Sequence, residues 1–121
     1  TRGETEAAPT LIFDEVDAGV GGAQAAALGE KLRRLAASGQ ILAVSHLPQV
    51  ASHGHRHFRV AKAVEGGRTA TTVEELAGEA RVEEVARMLA GREVTELSLS
   101  HARELLEDGG AGAERGARAA S

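Results

Sequence analysis

Two short apolar runs constrain this chain more than anything else in it. Thr10-Leu11-Ile12-Phe13 is halted by Asp14 and Glu15, and Gln40-Ile41-Leu42-Ala43-Val44 ends at Ser45-His46. Neither run alternates polar with apolar residues, which suits strands covered on both faces of a parallel sheet. Between them, Val16 to Gly22 carries Gly19, Gly21 and Gly22 and reads as a turn. Residues 23–37 then place Ala25, Leu28, Leu32 and Leu35 on one helical face, and Ser38-Gly39 stops the helix. Strand, helix and strand at this spacing form a crossover unit, which is right-handed in nearly all proteins, so the expected class is α/β.

Downstream, Leu47 to Ala51 reads as a short helical turn. Residues 57–63 and 68–75 read as two strands joined at Glu65-Gly66-Gly67, a hairpin. A helix is expected over Glu79–Ala90, with Val82, Val85, Ala86 and Leu89 on its apolar face and Gly91 as its stop. Thr95 is placed to cap a last helix through Leu106, whose buried stripe is Leu99, Ala102, Leu105 and Leu106. Residues 1–9 read as a loop entering the first strand. From Glu107 onward no large apolar residue occurs, so a folded unit over 1–107 with a disordered tail over 108–121 is expected. Two parallel strands do not by themselves make a doubly covered sheet, which points to a segment of a larger domain.

With 121 residues the chain fits one compact domain or a piece of one. Aromatic residues are only 2% of it, Phe13 and Phe58 alone, so the core must be aliphatic and alanine-rich. A net charge of −4, with both signs interleaved, excludes the basic stripe of a nucleic-acid footprint. Cysteine is absent, which removes disulfides and thiolate metal sites. No apolar run approaches the ~18 residues of a membrane span and no signal-peptide pattern is present, so a cytoplasmic protein without membrane contact is expected.

Ligand sites of open α/β sheets gather beyond the carboxyl ends of the strands. Here one strand ends in Asp14-Glu15 and the other in Ser45-His46. Neighbouring strands would bring these groups together, and the set matches what phosphoryl transfer from ATP requires. One carboxylate can hold magnesium, usually through water, because that ion keeps much of its hydration shell. A second can orient and deprotonate the attacking water, and an imidazole on the next strand can contact the γ-phosphate. An Asp-Glu pair or a lone histidine after a strand is more often a solvated turn or a structural group. The ordered combination of apolar run, acid pair, glycine turn, helix, apolar run and Ser-His argues against that.

These residues resemble a known family. Leu11-Ile12-Phe13-Asp14-Glu15 is similar to the Walker B motif of ABC-type ATPases, and Val44-Ser45-His46 to their H-loop. The run Phe13-Asp14-Glu15-Val16-Asp17-Ala18-Gly19-Val20-Gly21-Gly22, the run Ser45-His46-Leu47-Pro48-Gln49-Val50-Ala51 and the stretch Gly78 to Leu89 are similar to the SMC-like DNA-repair branch of that family. So are Glu93-Val94-Thr95-Glu96 and Ser100-His101-Ala102, and the likeness runs over roughly residues 9–107. It implies part of a P-loop NTPase, an ABC-type ATPase head with parallel strands, a C-terminal β-hairpin and two terminal helices. It further implies Asp14 as magnesium ligand, Glu15 as catalytic base and His46 as γ-phosphate switch, with ATP and Mg2+ as cofactors.

Residues 17–22 would be the D-loop. Asp17-Ala18-Gly19-Val20-Gly21-Gly22 departs from the Ser-Ala-Leu-Asp common in transporters, so no single D-loop residue is given a role. The implied function is ATP hydrolysis in double-strand break repair and recombination, by a bacterial, cytoplasmic, nucleoid-associated protein that touches DNA and pairs head to head. Gly-x-x-x-x-Gly-Lys-Ser/Thr and Leu-Ser-Gly-Gly motifs are absent, so this segment alone is expected neither to bind ATP tightly nor to hydrolyse it. Two other readings stand beside this one: the ATPase subunit of a different ABC system, such as a transporter, and a non-catalytic interaction domain. His53, His55 and His57 form a cluster read as structural or solvated in preference to metal-binding. Arg81, Glu83, Glu84 and Arg87 read as the wet face of their helix.

Overall fold

The computed structural model describes residues 9–15, 19–91 and 93–120, the last ten of these as backbone alone. The expected entry loop over 1–8 and the D-loop residues Asp17 and Ala18 lie outside the described residues. In chain order the elements are β1 (Thr10–Phe13), α1 (Gly22–Leu35), a 3-10 turn (Ala36–Ser38), β2 (Gln40–Ala43), α2 (Pro48–Ala51), β3 (His57–Glu65), β4 (Arg68–Leu76), α3 (Glu79–Ala90) and α4 (Glu96–Ala120). The chain is α/β, with one parallel pair, one antiparallel hairpin and helices around them.

β1 and β2 pair in parallel, Thr10 opposite Gln40 and Phe13 opposite Ala43. The crossover is α1, whose Ala25 and Leu32 are buried with Val50 of α2, and Phe13, Val20, Leu28, Ile41 and Leu47 pack against that cluster. A helix on one face explains why this pair holds. It does not cover the other face: Ile12 is 70% exposed and Val44 57%, so the expected double coverage is not met within the described residues. Among the described residues no second element lies on that side.

The hairpin pairs His57 with Leu76 through to Glu65 with Arg68. Its two-residue turn needs left-handed backbone, and Gly66 and Gly67 provide it at φ 56° and 78°. Almost all of the hairpin is exposed, and Leu76, at its base, is its buried residue. A second cluster, Val85, Ala86 and Ala102, joins α3 to α4 with Val82, Leu89, Leu99, Leu105 and Leu106 around it. Both predicted helical stripes are therefore the ones used.

α4 opens with a reciprocal cap. The Ser98 amide donates to Thr95 Oγ1 at 3.1 Å, and the Thr95 amide donates to Ser98 Oγ at 2.8 Å. This is a capping box with serine in the place of the usual Glu or Gln. The helix then continues to Ala120, past the Leu106 expected as its last residue. Alanine is the best helix former, and Gly109 is buried where α4 passes the Ser52 carbonyl, so closely that a Cβ there would lie 2.5 Å from that oxygen. A glycine in a stretch without large apolar residues is here a point of close contact.

Candidate nucleotide-hydrolysis site

The parallel ladder runs to its carboxyl end without a break. Beyond the last paired residues, the Val44 amide donates to the Phe13 carbonyl at 2.9 Å. Asp14 and Glu15 leave β1 at the point where Val44, Ser45 and His46 leave β2. Adjacent strands lie about 4.8 Å apart, so the acid pair and the imidazole segment emerge on the same edge of the same sheet. Asp14, Glu15 and His46 are all exposed.

Glu15 has φ 49°, the one positive φ among the described non-glycine residues. For a residue with a Cβ this region is sparsely populated and costs about 1–3 kcal/mol, and such conformations gather at functional sites. The positive φ ends the extended course of β1 at Glu15. Nothing in the sequence signals this φ, because glutamate rarely adopts it.

His46 is held from behind. The Leu47 amide donates to Ser45 Oγ at 3.0 Å, closing a small turn around residue 46. α2 starts immediately after, with Pro48 at its first turn, where a missing amide costs nothing. Gln49 lies close to the start of α1: a Cβ on Gly22 would lie 3.8 Å from Gln49 Nε2. The end of the glycine-rich turn and the segment after β2 are thus neighbours.

Hard oxygen donors that stay open to water suit magnesium, which keeps several waters of its own. The exposed Asp14-Glu15 pair is of that type. Among the described residues no group of three or more His, Cys, Asp or Glu side chains is arranged to enclose a metal ion. The histidine cluster is used otherwise. His53 Nδ1 lies 2.8 Å from the Gln49 carbonyl, and His57 is half-buried at the base of the hairpin. Burial lowers the His57 pKa, the Arg81 charge lowers it further, and Glu84 opposes them.

Two residues read as solvent-facing are not. Glu84 is 7% exposed and binds Arg87 through both oxygens, at 2.8 and 2.7 Å, with Arg59 of β3 3.9 Å away. The Arg87 hydrogen bond holds its carboxyl below the ordinary range, and the Arg87, Arg59 and His57 charges add to that. Arg81 is half-buried and turned onto backbone carbonyls. Helical periodicity placed both on a charged face; Arg81 is turned inward by carbonyls distant in sequence, and Glu84 is held by Arg87 on its own helix and by Arg59 of the hairpin.

No family model matches the chain. It is 54% identical over 98 residues to the DNA repair protein RecN of Deinococcus radiodurans, a match over 81% of this chain and 17% of that protein. To RecN of Streptomyces coelicolor it is 52% identical over 103 residues, 85% of the chain and 18% of the relative. RecN of Bacillus subtilis is 46% identical over 98 residues, 81% and 17% respectively. The chain therefore spans less than a fifth of the length of these curated relatives. Over some four-fifths of its own length, with the acid pair and the imidazole described above, this chain resembles a segment of the DNA repair protein RecN.

Proposed function

We propose that this chain is the C-terminal part of an SMC-like, ABC-type ATPase head in a RecN-type DNA repair protein, and that it provides the magnesium- and water-facing half of the ATP site. The likeness to RecN at about half identity supports the repair role. The observation that carries the chemistry is the continuous parallel ladder that delivers Asp14-Glu15 and Ser45-His46 to one edge.

In this site Asp14 would hold magnesium, and the ion would supply charge neutralisation on the phosphate oxygens. Glu15 accepts a hydrogen bond from the attacking water, aims its oxygen at the γ-phosphorus and takes its proton as the bond to phosphorus forms. The bridging oxygen of ADP leaves on the opposite side. His46 donates to a γ-phosphate oxygen, which aligns that group and makes the site responsive to its loss. The phosphate loop and signature segment are contributed by other parts of the longer protein and by a second head, so ATP is sandwiched in a head-to-head homodimer. Hydrolysis then couples head engagement to contact with DNA at broken ends, in the bacterial cytoplasm at the nucleoid. The open face of β1–β2 is covered by the rest of the head. Among the described residues no helix is long and apolar enough to cross a membrane.

The test is Glu15→Gln in the full-length protein, a change that keeps size and removes the base. Steady-state ATPase should fall by about 10²–10⁴-fold, the usual contribution of a general base. ATP binding should persist, and the nucleotide-bound dimer should live longer. An unchanged turnover rate would overturn the assignment of Glu15.

A further inference from the structure

Away from the strand ends, the structure concentrates long-range polar bonds on the segment that follows α2. Arg33 of α1 donates from Nη1 to the His53 carbonyl at 2.7 Å. Arg81 of α3 donates from Nη2 to the Gly54 carbonyl at 2.7 Å and to the Ala51 carbonyl at 3.1 Å. Other arginines of the molecule serve carboxylates: Arg34 pairs with Glu30, Arg56 with Glu75, Arg87 with Glu84 and Arg103 with Glu79. A guanidinium bound to main-chain oxygens fixes where a backbone lies, because those acceptors cannot swing away as a carboxylate can.

The clamped carbonyls connect to His46 with little slack. The Val50 and Ala51 amides both donate to the Leu47 carbonyl at 3.1 Å, and the Ser52 amide donates to Pro48 at 2.9 Å. At the near end, Ser45 Oγ holds the Leu47 amide. From Ser45 to Gly54 the main chain is thus tied at both ends with one helical turn between. Arg81 starts from α3, in the hydrophobic cluster that does not contain α2, whereas Leu47 and Val50 belong to the cluster under β1 and β2.

We infer that Arg81, with Arg33 beside it, is a positioning residue for His46: it ties the α3–α4 pair to the far end of α2, so that the placement of that pair sets where the imidazole stands. This rests on the assignment of His46 as the γ-phosphate contact. It also makes α3–α4 a lever on the site, since a shift of α3 moves Ala51 and Gly54 directly.

The experiment is kinetic and uses the full-length protein. Arg81→Ala should lower kcat for ATP hydrolysis about tenfold while leaving KM for ATP close to wild type, the pattern of a small misplacement of a catalytic group. In a His46→Ala background the same change should have no further effect on kcat. Arg103→Ala, which removes an exposed ion pair between α4 and Glu79 of α3, is the control and should leave kcat unchanged. Arg81→Lys keeps the charge but offers one point donor, so it should lose several-fold in kcat, and it replaces Arg81→Ala if that variant does not fold. Wild-type kcat in the Arg81 variants, or losses that multiply with His46→Ala, would overturn the positioning role. The site assignment fails separately, if Glu15→Gln leaves turnover intact.

Discussion

The parallel pair β1–β2 needs only four residues per strand, whereas the antiparallel hairpin β3–β4 uses nine. The hairpin closes on itself through Gly66-Gly67 and touches the rest of the molecule at its base, by Leu76 and by Arg59 near Glu84. The parallel pair has no turn of its own. It exists because α1 crosses over it and buries Ala25 and Leu32 against Val50, Phe13 and Ile41. A parallel pair therefore depends on helix packing at a distance, and a hairpin on local turn chemistry. Asp14, Glu15 and His46 sit at the end of the first kind, whose position is fixed by several elements at once.

That contrast can be broken from either side, and the largest effect should come from α1. A Cβ on Gly29 would lie 2.6 Å from His53 Nδ1 and 3.0 Å from the Gln49 carbonyl, so α1 rests on α2 and the loop after it through a missing side chain. Gly29→Val should lower stability by about 2–3 kcal/mol through overpacking. Amide exchange should speed up in β1 and β2 although the substitution lies in neither. Slowed or unchanged exchange there would mean that the crossover does not hold the pair.

Gly66→Val acts on the other side. The φ of 56° strains any residue with a Cβ, and a β-branched one most, so the hairpin should lose about 1–2 kcal/mol. Exchange should rise over 57–76 and stay as in the wild type over 10–44. A change that spreads to both pairs would show that the two are one cooperative unit.

The smallest expected effect lies at the joint of hairpin and α3. Glu84 in the folded chain has a carboxyl pKa below the ordinary 4.5, chiefly through its Arg87 hydrogen bond. A folded value lowered in this way gives stability that is fully present above pH 4.5 and is lost as pH falls through the folded value. Glu84→Gln should cost about 1 kcal/mol at neutral pH, given how exposed Arg87 is. The gap in Tm between variant and wild type should close in acid. A gap that persists unchanged below the folded value would rule out this ion pair as its source.

Much of this was legible in the residues. Thr10–Phe13 and Gln40–Ala43 showed as apolar runs, the Gly66-Gly67 turn and the Thr95 cap had local signatures, and the apolar stripes of α3 and α4 repeat at helical spacing. What stayed hidden depends mostly on partners far along the chain. Arg81 reaches carbonyls 27 and 30 residues away, and Glu84 meets Arg59 of the hairpin besides Arg87 on its own helix. Periodicity assigns such residues to a charged face because it sees one helix at a time. Gly109 lies in the stretch without large apolar residues, and the Ser52 carbonyl it admits lies outside its own segment. An apolar run records what a strand is built to contact, and the described residues supply one covering layer for β1–β2.

The account stands or falls on Asp14 and His46 serving one nucleotide. Manganese in place of magnesium makes that measurable, because a bound paramagnetic ion broadens the resonances of nearby nuclei only. With ring-labelled histidine in the full-length protein, and His46→Gln to assign the signal, manganese-ATP should broaden the His46 imidazole selectively, and Asp14→Ala should restore it. A His46 signal that stays sharp while manganese-ATP is bound would contradict the shared site.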